Sequence, residues 1–324
     1  MKIVHDVHTH TNLSQCSHDP EALIPNYIKK AAELGHKIFG ISNHLWDPKA
    51  EGASGWYKSQ MTSYGLQLKD CIPEDTCGVK VLFGVETDFF GKTGALGMLA
   101  ETAKQFDYVL IPHSHTHMRN ICMPDSPDVV ALKKYFAENI KAALPALTEA
   151  QAMTMASSLS RMDVDKMIAD GTFLDPTIDF FAYIGRFLID SFHMLMDHPE
   201  LNKMIEHTPV SLAHSMYPCG HTHEELEKIF ASMADEEIVD CYRRAAKLGI
   251  AVEVNTSCFS SAYEDDYTKC PYVHVMALAK QAGCKFTFGT DGHSVKSLDG
   301  IRKGDILADA IGLTDDDLAE WVKA

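Results

Sequence analysis

Histidines separated by a single residue recur in this chain at places where strands should end. His8-Thr9-His10 closes the apolar stretch that begins at Ile3. His113-Ser114-His115-Thr116-His117 follows Tyr108-Val109-Leu110-Ile111, and Asp291-Gly292-His293 follows Phe286-Thr287-Phe288-Gly289-Thr290. Side chains two apart on a strand point to the same face. Each cluster therefore aims two imidazoles, or an imidazole and a carboxylate, into one space. Neutral imidazole and carboxylate are the usual ligands of zinc, manganese and iron. Any one of the 17 histidines could be an ordinary surface residue. Three clusters of this kind in one chain point instead to a metal site.

Seven short apolar segments could position these groups: residues 3–7, 37–42, 79–85, 108–112, 209–213, 250–254 and 285–289. Amphipathic stretches separate them. Residues 235–248 place Ile238, Tyr242, Ala245 and Leu248 on one stripe with Gly249 just beyond, as a helix with a glycine stop would. Asp19 and Pro20 read as the start of an earlier helix and Gly35 as its end. Strands alternating with helices predict a parallel sheet closed or nearly closed into a barrel, a distorted TIM-barrel-like (β/α)7 fold in the α/β class. Each candidate ligand falls at or just after the C-terminal end of a strand, the face where barrel enzymes carry their chemistry. His8, His10 and His18 follow the first strand, His44 the second, Glu86 the third and the 113–117 cluster the fourth. His214 follows the fifth strand, and Asp291 and His293 the seventh.

Residues 126–206 break the rhythm, being rich in Ala, Met and Leu with no strand pattern. The expectation is one domain over residues 1–324 with a helical insertion at 126–206, between strands four and five. The insertion could cap the site or join copies of the chain into a homo-oligomer.

The bulk composition bounds the partners. An apolar fraction of 46% and a charged fraction of 23% suit a soluble enzyme. The net charge of -16 supplies no basic field for nucleic acid or an anionic membrane. No apolar run of membrane-spanning length occurs, and the first residues enter a strand without a signal-peptide stretch. Nine scattered cysteines without CxxC pairing fit a reducing, cytoplasmic setting.

Several other residues read more plainly. Asp6 could orient a ligand histidine or sit in a strand-end turn. His221 and His223 flank Thr222 in a loop, where helix capping or pocket lining is expected. Asn255 ends strand six on the active face and could touch substrate or hold the backbone. Cys16 lies near His18 but lacks the isolated base a nucleophilic thiol needs. Met194, Met196 and Met204 are expected to pack the insertion core, and His193, His198 and His207 carry no ligand spacing.

Taken in order, Asp6-Val7-His8-Thr9-His10-Thr11, His18, Ile41-Ser42-Asn43-His44, Gly84-Val85-Glu86, Leu212-Ala213-His214 and Thr290-Asp291-Gly292-His293 resemble the PHP (polymerase and histidinol phosphatase) superfamily. The resemblance runs over nearly the whole chain outside the insertion and looks most like the phosphoesterase branch near histidinol-phosphate phosphatases. It implies a distorted seven-stranded barrel with a trinuclear metal centre. Carried over, it places His8, His10, Glu86 and Asp291 around one metal. Glu86 would bridge to a second metal held by His115 and His214, while His18, His44 and His293 would hold a third. The family offers one histidine after strand four, and here His113, His115 and His117 compete. His115 is preferred, with His113 second.

The chemistry expected of two to three divalent ions (zinc, manganese or iron) is hydrolysis of a phosphomonoester of a small soluble metabolite. A water bridging two metals loses its proton near neutral pH and becomes the nucleophile. Glu86 and Asp291 would serve the reaction directly. Arg119 matches phosphate by its guanidinium fork, though it could equally be a surface arginine. His113, His117 and Asn255 would meet substrate. Histidinol phosphate or a nucleotide would suit such a site. Phosphodiester or exonuclease cleavage is the alternative enzyme reading, and a non-catalytic metal-binding interaction module the alternative outside enzymology. The loop 45–60, with Trp46, Trp56 and Tyr57, and the insertion should set the leaving group.

Overall fold

The fold is given by a computed structural model that describes residues 1–60, 62–118, 121–159, 163, 166–167 and 179–324, with residues 62–64 described by backbone alone. Seven strands form one parallel sheet: β1 (His5–Asp6), β2 (Ile38–Ile41), β3 (Lys80–Glu86), β6 (Tyr108–Leu110), β7 (Val210–Leu212), β8 (Ala251–Asn255) and β9 (Phe286–Gly289), hydrogen-bonded in that order. All seven lie where the sequence pattern puts them. The small hairpin of β4 (Phe89–Phe90) and β5 (Ala95–Leu96) was not expected, because two-residue strands carry no periodicity to read.

The sheet closes between its first and last strands. Val7 N–H donates to Phe288 O at 3.1 Å, His10 N–H donates to Gly292 O at 2.8 Å, and Thr9 pairs with Gly292 in a parallel bridge. Two side chains reinforce the seam. His5 Nε2 accepts the Phe288 N–H at 3.0 Å. Asp6 accepts from Thr290 N (3.1 Å), Thr290 Oγ1 (2.7 Å) and His8 N (3.2 Å). Asp6 therefore binds the ends of β1 and β9 and makes no bond to an imidazole ring among the described residues. Inside the barrel, Tyr108 packs over Gly40 and Gly84, where a Cβ would collide with its ring, and donates to Val7 O at 2.7 Å.

Helices cover the outside. Ile24–Leu34 begins with Pro25 in its first turn and ends at Gly35, whose φ of 83° is the left-handed geometry glycine allows. Its start is four residues later than an Asp19 cap with Pro20 as first residue implies. Asp19 instead accepts from Glu21 N at 2.9 Å and Val295 N at 3.3 Å, tying two loops together. Asp235–Lys247 buries Ile238, Tyr242 and Ala245 of the expected stripe together with Cys241, while Leu248 is the half-buried residue that ends it.

Within 126–206 the described residues form the helices Pro127–Ala143, Glu149–Ala156, Phe180–Met196 and Pro199–Met204 and no strand. They divide by what they bury. Ile184, Leu188, Phe192 and Leu195 join the main core together with Met196 and Met204, so this part packs against the barrel. Val129 and Leu132 form one small cluster, and Ala137, Ala152 and Ala156 another. Met194 was expected inside and is 43% exposed. No helix among the described residues is long and apolar enough to cross a membrane.

Candidate metal centre

The C-terminal ends of the strands converge on Glu86, the last residue of β3, which is 1% exposed. Its Oε2 lies 3.2 Å from His8 Nε2, 3.2 Å from His10 Nε2 and 3.2 Å from His44 Nδ1. Its Oε1 lies 3.4 Å from His214 Nε2. Asp291 Oδ1 stands 3.2 Å from His10 Nε2 and 3.5 Å from His8 Nε2. The rings of His44 and His293 each stack with the ring of His10 at a centroid distance of 4.5 Å.

Groups behind the rings fix their orientation. His8 Nδ1 donates to Glu253 Oε1 at 2.8 Å, which fixes the ring with Nε2 facing Glu86. Glu253 also accepts the His214 N–H at 2.7 Å. Gly289 must lack a Cβ here, because one would run into Glu253 and His8. His115 Nδ1 donates to Asp88 Oδ2 at 2.9 Å, and the Tyr57 hydroxyl donates to the same oxygen at 3.1 Å. His293 Nδ1 donates to Asp291 O at 2.7 Å. Ser114 Oγ meets His214 Nδ1 at 3.1 Å. Backbone strain gathers at the same place. His214, Met216 and Asp291 have φ of 33°, 60° and 53°, a region costly for residues with a Cβ.

This donor set fits divalent metal ions. His8 and His10 turn ring nitrogens to within 3.1 Å of each other, an approach that a shared cation would stabilise. Glu86 Oε1 and His10 Nδ1 are buried with no hydrogen-bond partner among the described residues. Burial alone would raise the Glu86 carboxyl, yet His44 and then His8 hold it well below the ordinary range. Four groupings have donor atoms within 4.8 Å of one another: His8–His10–Asp291, His10–His44–Glu86, His115–His214–Cys219 and His10–Cys16–His293.

The expected residues separate clearly. His8, His10, His44, Glu86, His115, His214, Asp291 and His293 come together. His18 does not: its side chain is exposed, and Cys16 occupies the site side of that loop. His113 is also removed. It faces Phe192, with Nε2 accepting the Met216 N–H at 3.2 Å. Burial, then His214 and His115, lower its pKa to about 3, so it stays neutral. Asn255 is buried and caps the turn Thr256–Cys258 through Ser257 N at 3.0 Å, without reaching the cleft. His117 lines the cleft mouth. Arg119 lies outside the described residues. Thr222 caps the helix His223–Ala231 in a capping box with Glu225, and His221 and His223 lie 3.4 Å from the carboxylates of Glu225 and Glu227.

Sequence reasoning missed Glu253, Asp88, Cys16 and Cys219. Glu253 could have been found, since it lies in β8 two residues before the strand end on a face shared with Asn255. Nothing in the spacing singles out Asp88 or Cys219. The cleft above the centre holds about 580 Å³ and is walled by Trp56, Tyr57, Met118 and His117.

A model of the PHP domain matches residues 6–171, just over half of the chain. The chain belongs to the PHP domain family. The match takes in the PHP residues from His8 to His115, while His214, Asp291 and His293 lie beyond it. A protein of Acetivibrio thermocellus named "Probable phosphatase" is 34% identical over 111 residues, which is 34% of this PHP chain and 41% of that protein. The match thus spans less than half the length of this relative. A candidate histidinol phosphatase from Listeria monocytogenes shares the fold at TM-score 0.52 and 13% identity, covering 91% of this chain and 97% of that one. A histidinol phosphate phosphatase from Lactococcus lactis, solved with zinc, L-histidinol and phosphate, overlays at TM-score 0.47 and 16% identity, covering 96% and 94%.

Proposed function

We propose that this chain is a metal-dependent phosphomonoesterase acting on a small soluble metabolite. One observation carries the reading: a buried carboxylate, Glu86, with four imidazole nitrogens 3.2–3.4 Å from its two oxygens at the floor of a cleft. The relative named as a phosphatase supports the same class of reaction.

His8, His10, Glu86 and Asp291 would hold one ion, Glu86, His115 and His214 a second, and His44 with His293 a third. Bound ions would supply Lewis acidity toward phosphoryl oxygens and an activated water near neutral pH. The chain's own groups do the rest. Glu253 and Asp88 keep His8 and His115 in the tautomer that presents Nε2 inward. Glu86 and Asp291 bring negative charge to an otherwise imidazole-rich floor. His117 stands at the mouth, where it can donate to a phosphate or leaving oxygen. Arg119, two residues further in sequence, is the proposed guanidinium clamp for phosphate. Trp56, Tyr57 and Met118 form an apolar wall that restricts water around the leaving group. Nine free cysteines support a cytoplasmic setting, and the helices at 126–156 are the proposed surface for self-association.

A screen of phosphorylated metabolites for phosphate release, each run with and without a chelator, tests the proposal. Release from one compound class that chelation abolishes is the expected result. No release from any monoester, with cleavage of a diester instead, would overturn it.

A further inference from the structure

We propose that Cys16 is a thiolate ligand of this centre, filling with His293 and the His10–His44 ring stack the place for which His18 was expected. The inference rests on the metal-dependent reading above. It starts from the loop after β1. Ser14 N–H donates to Thr11 O at 2.9 Å and Ser17 N–H to Ser14 O at 3.1 Å, two successive tight turns. They direct Cys16 toward the cleft, which it lines, and leave His18 exposed to solvent. Ser17 Oγ donates to His293 O at 2.8 Å, so the loop and the segment carrying His293 are held together. Donor atoms of Cys16, His10 and His293 then lie within 4.8 Å of one another. His10 is fully buried, and its Nδ1 has no hydrogen-bond partner among the described residues.

The consequence is a centre of nitrogen, oxygen and sulfur donors. Thiolate is soft and favours zinc or iron over manganese or magnesium, which prefer oxygen. The chemistry of the loop residue thus narrows the metal choice that histidine and carboxylate leave open.

Cobalt(II) reconstitution of the full chain provides the test, because a thiolate bound to cobalt adds a strong near-ultraviolet charge-transfer absorption absent from nitrogen and oxygen ligation. Wild-type protein should show this absorption together with the weaker visible bands of bound cobalt. Cys16→Ser should lose it, and Cys16→His should lose it while binding as much cobalt as wild type. Cys219→Ser should keep it. Visible cobalt bands without the charge-transfer absorption, or an absorption that survives Cys16→Ser and vanishes in Cys219→Ser, would overturn the assignment and leave the metal centre standing. No bound cobalt in wild type would overturn the metal-centre reading itself, and this inference with it.

Discussion

Glu86 owes its position to β3, whose last residue it is, and its ionised state to the four imidazoles around it. Glu86→Gln keeps the volume and removes the charge. Turnover should fall by more than the ~10–100-fold that an outer-sphere partner costs, with an unchanged circular dichroism spectrum; near-normal kcat would remove Glu86 from the centre. Asp88 acts one step further out, through its 2.9 Å bond to His115 Nδ1. Asp88→Asn should weaken metal affinity by roughly 10–100-fold, read by competition with a coloured chelator. The strand-four histidines now divide by position. His115→Ala should lower the metal content of purified protein, whereas His113→Ala should leave it intact and cost about 1–3 kcal/mol of stability by opening a buried site. A metal lost from His113→Ala and kept by His115→Ala would reverse that division. His117→Ala should raise KM with metal content preserved.

At the scale of elements, buried neutral histidines build acid sensitivity into the barrel. Burial lowers His36 to about 4, and burial together with His36 lowers His5 to about 3. In the unfolded chain both would titrate near 6.5. The unfolded state therefore binds more protons between the two values, so stability rises with pH through this window. The contribution is complete above 6.5 and is lost as pH falls toward the folded values. Between pH 7 and 5 each histidine should cost about 2 kcal/mol. Urea unfolding of His36→Leu should show a smaller loss over that interval than wild type. Equal losses would mean that His36 is protonated in the fold. The strands themselves were legible because a parallel barrel strand is an unbroken apolar run, and all seven such runs became strands. The clustering of the candidate ligands at their ends was legible for the same reason: the strand fixes where they emerge. Residues set by loop geometry were not. His18 and Cys16 differ by two positions, and the paired turns at Ser14 and Ser17 set Cys16 against the cleft and His18 toward solvent. His113 follows its strand so closely that it turns into the core against Phe192. The helix Phe180–Met196 reads as insertion because it lacks a neighbouring strand signal, and its apolar face packs into the main core.

For the molecule as a whole, an acidic chain of net charge -16 closes a seven-stranded barrel so that β1 and β9 bring the first and last ligand clusters together. His8 and Asp291 are 283 residues apart in sequence and 3.5 Å apart in space. A centre assembled from both ends of the chain cannot form until the barrel closes, so the proposed metal binding would be tied to folding. The central claim is that phosphoester hydrolysis depends on that centre. Its most direct test is phosphate release by metal-stripped protein titrated with zinc, manganese or iron(II), using the best substrate from the screen. Release should be absent without metal and reach a plateau at two to three equivalents per chain. Full activity in the stripped protein, or no activity with any of the three metals, would contradict the account.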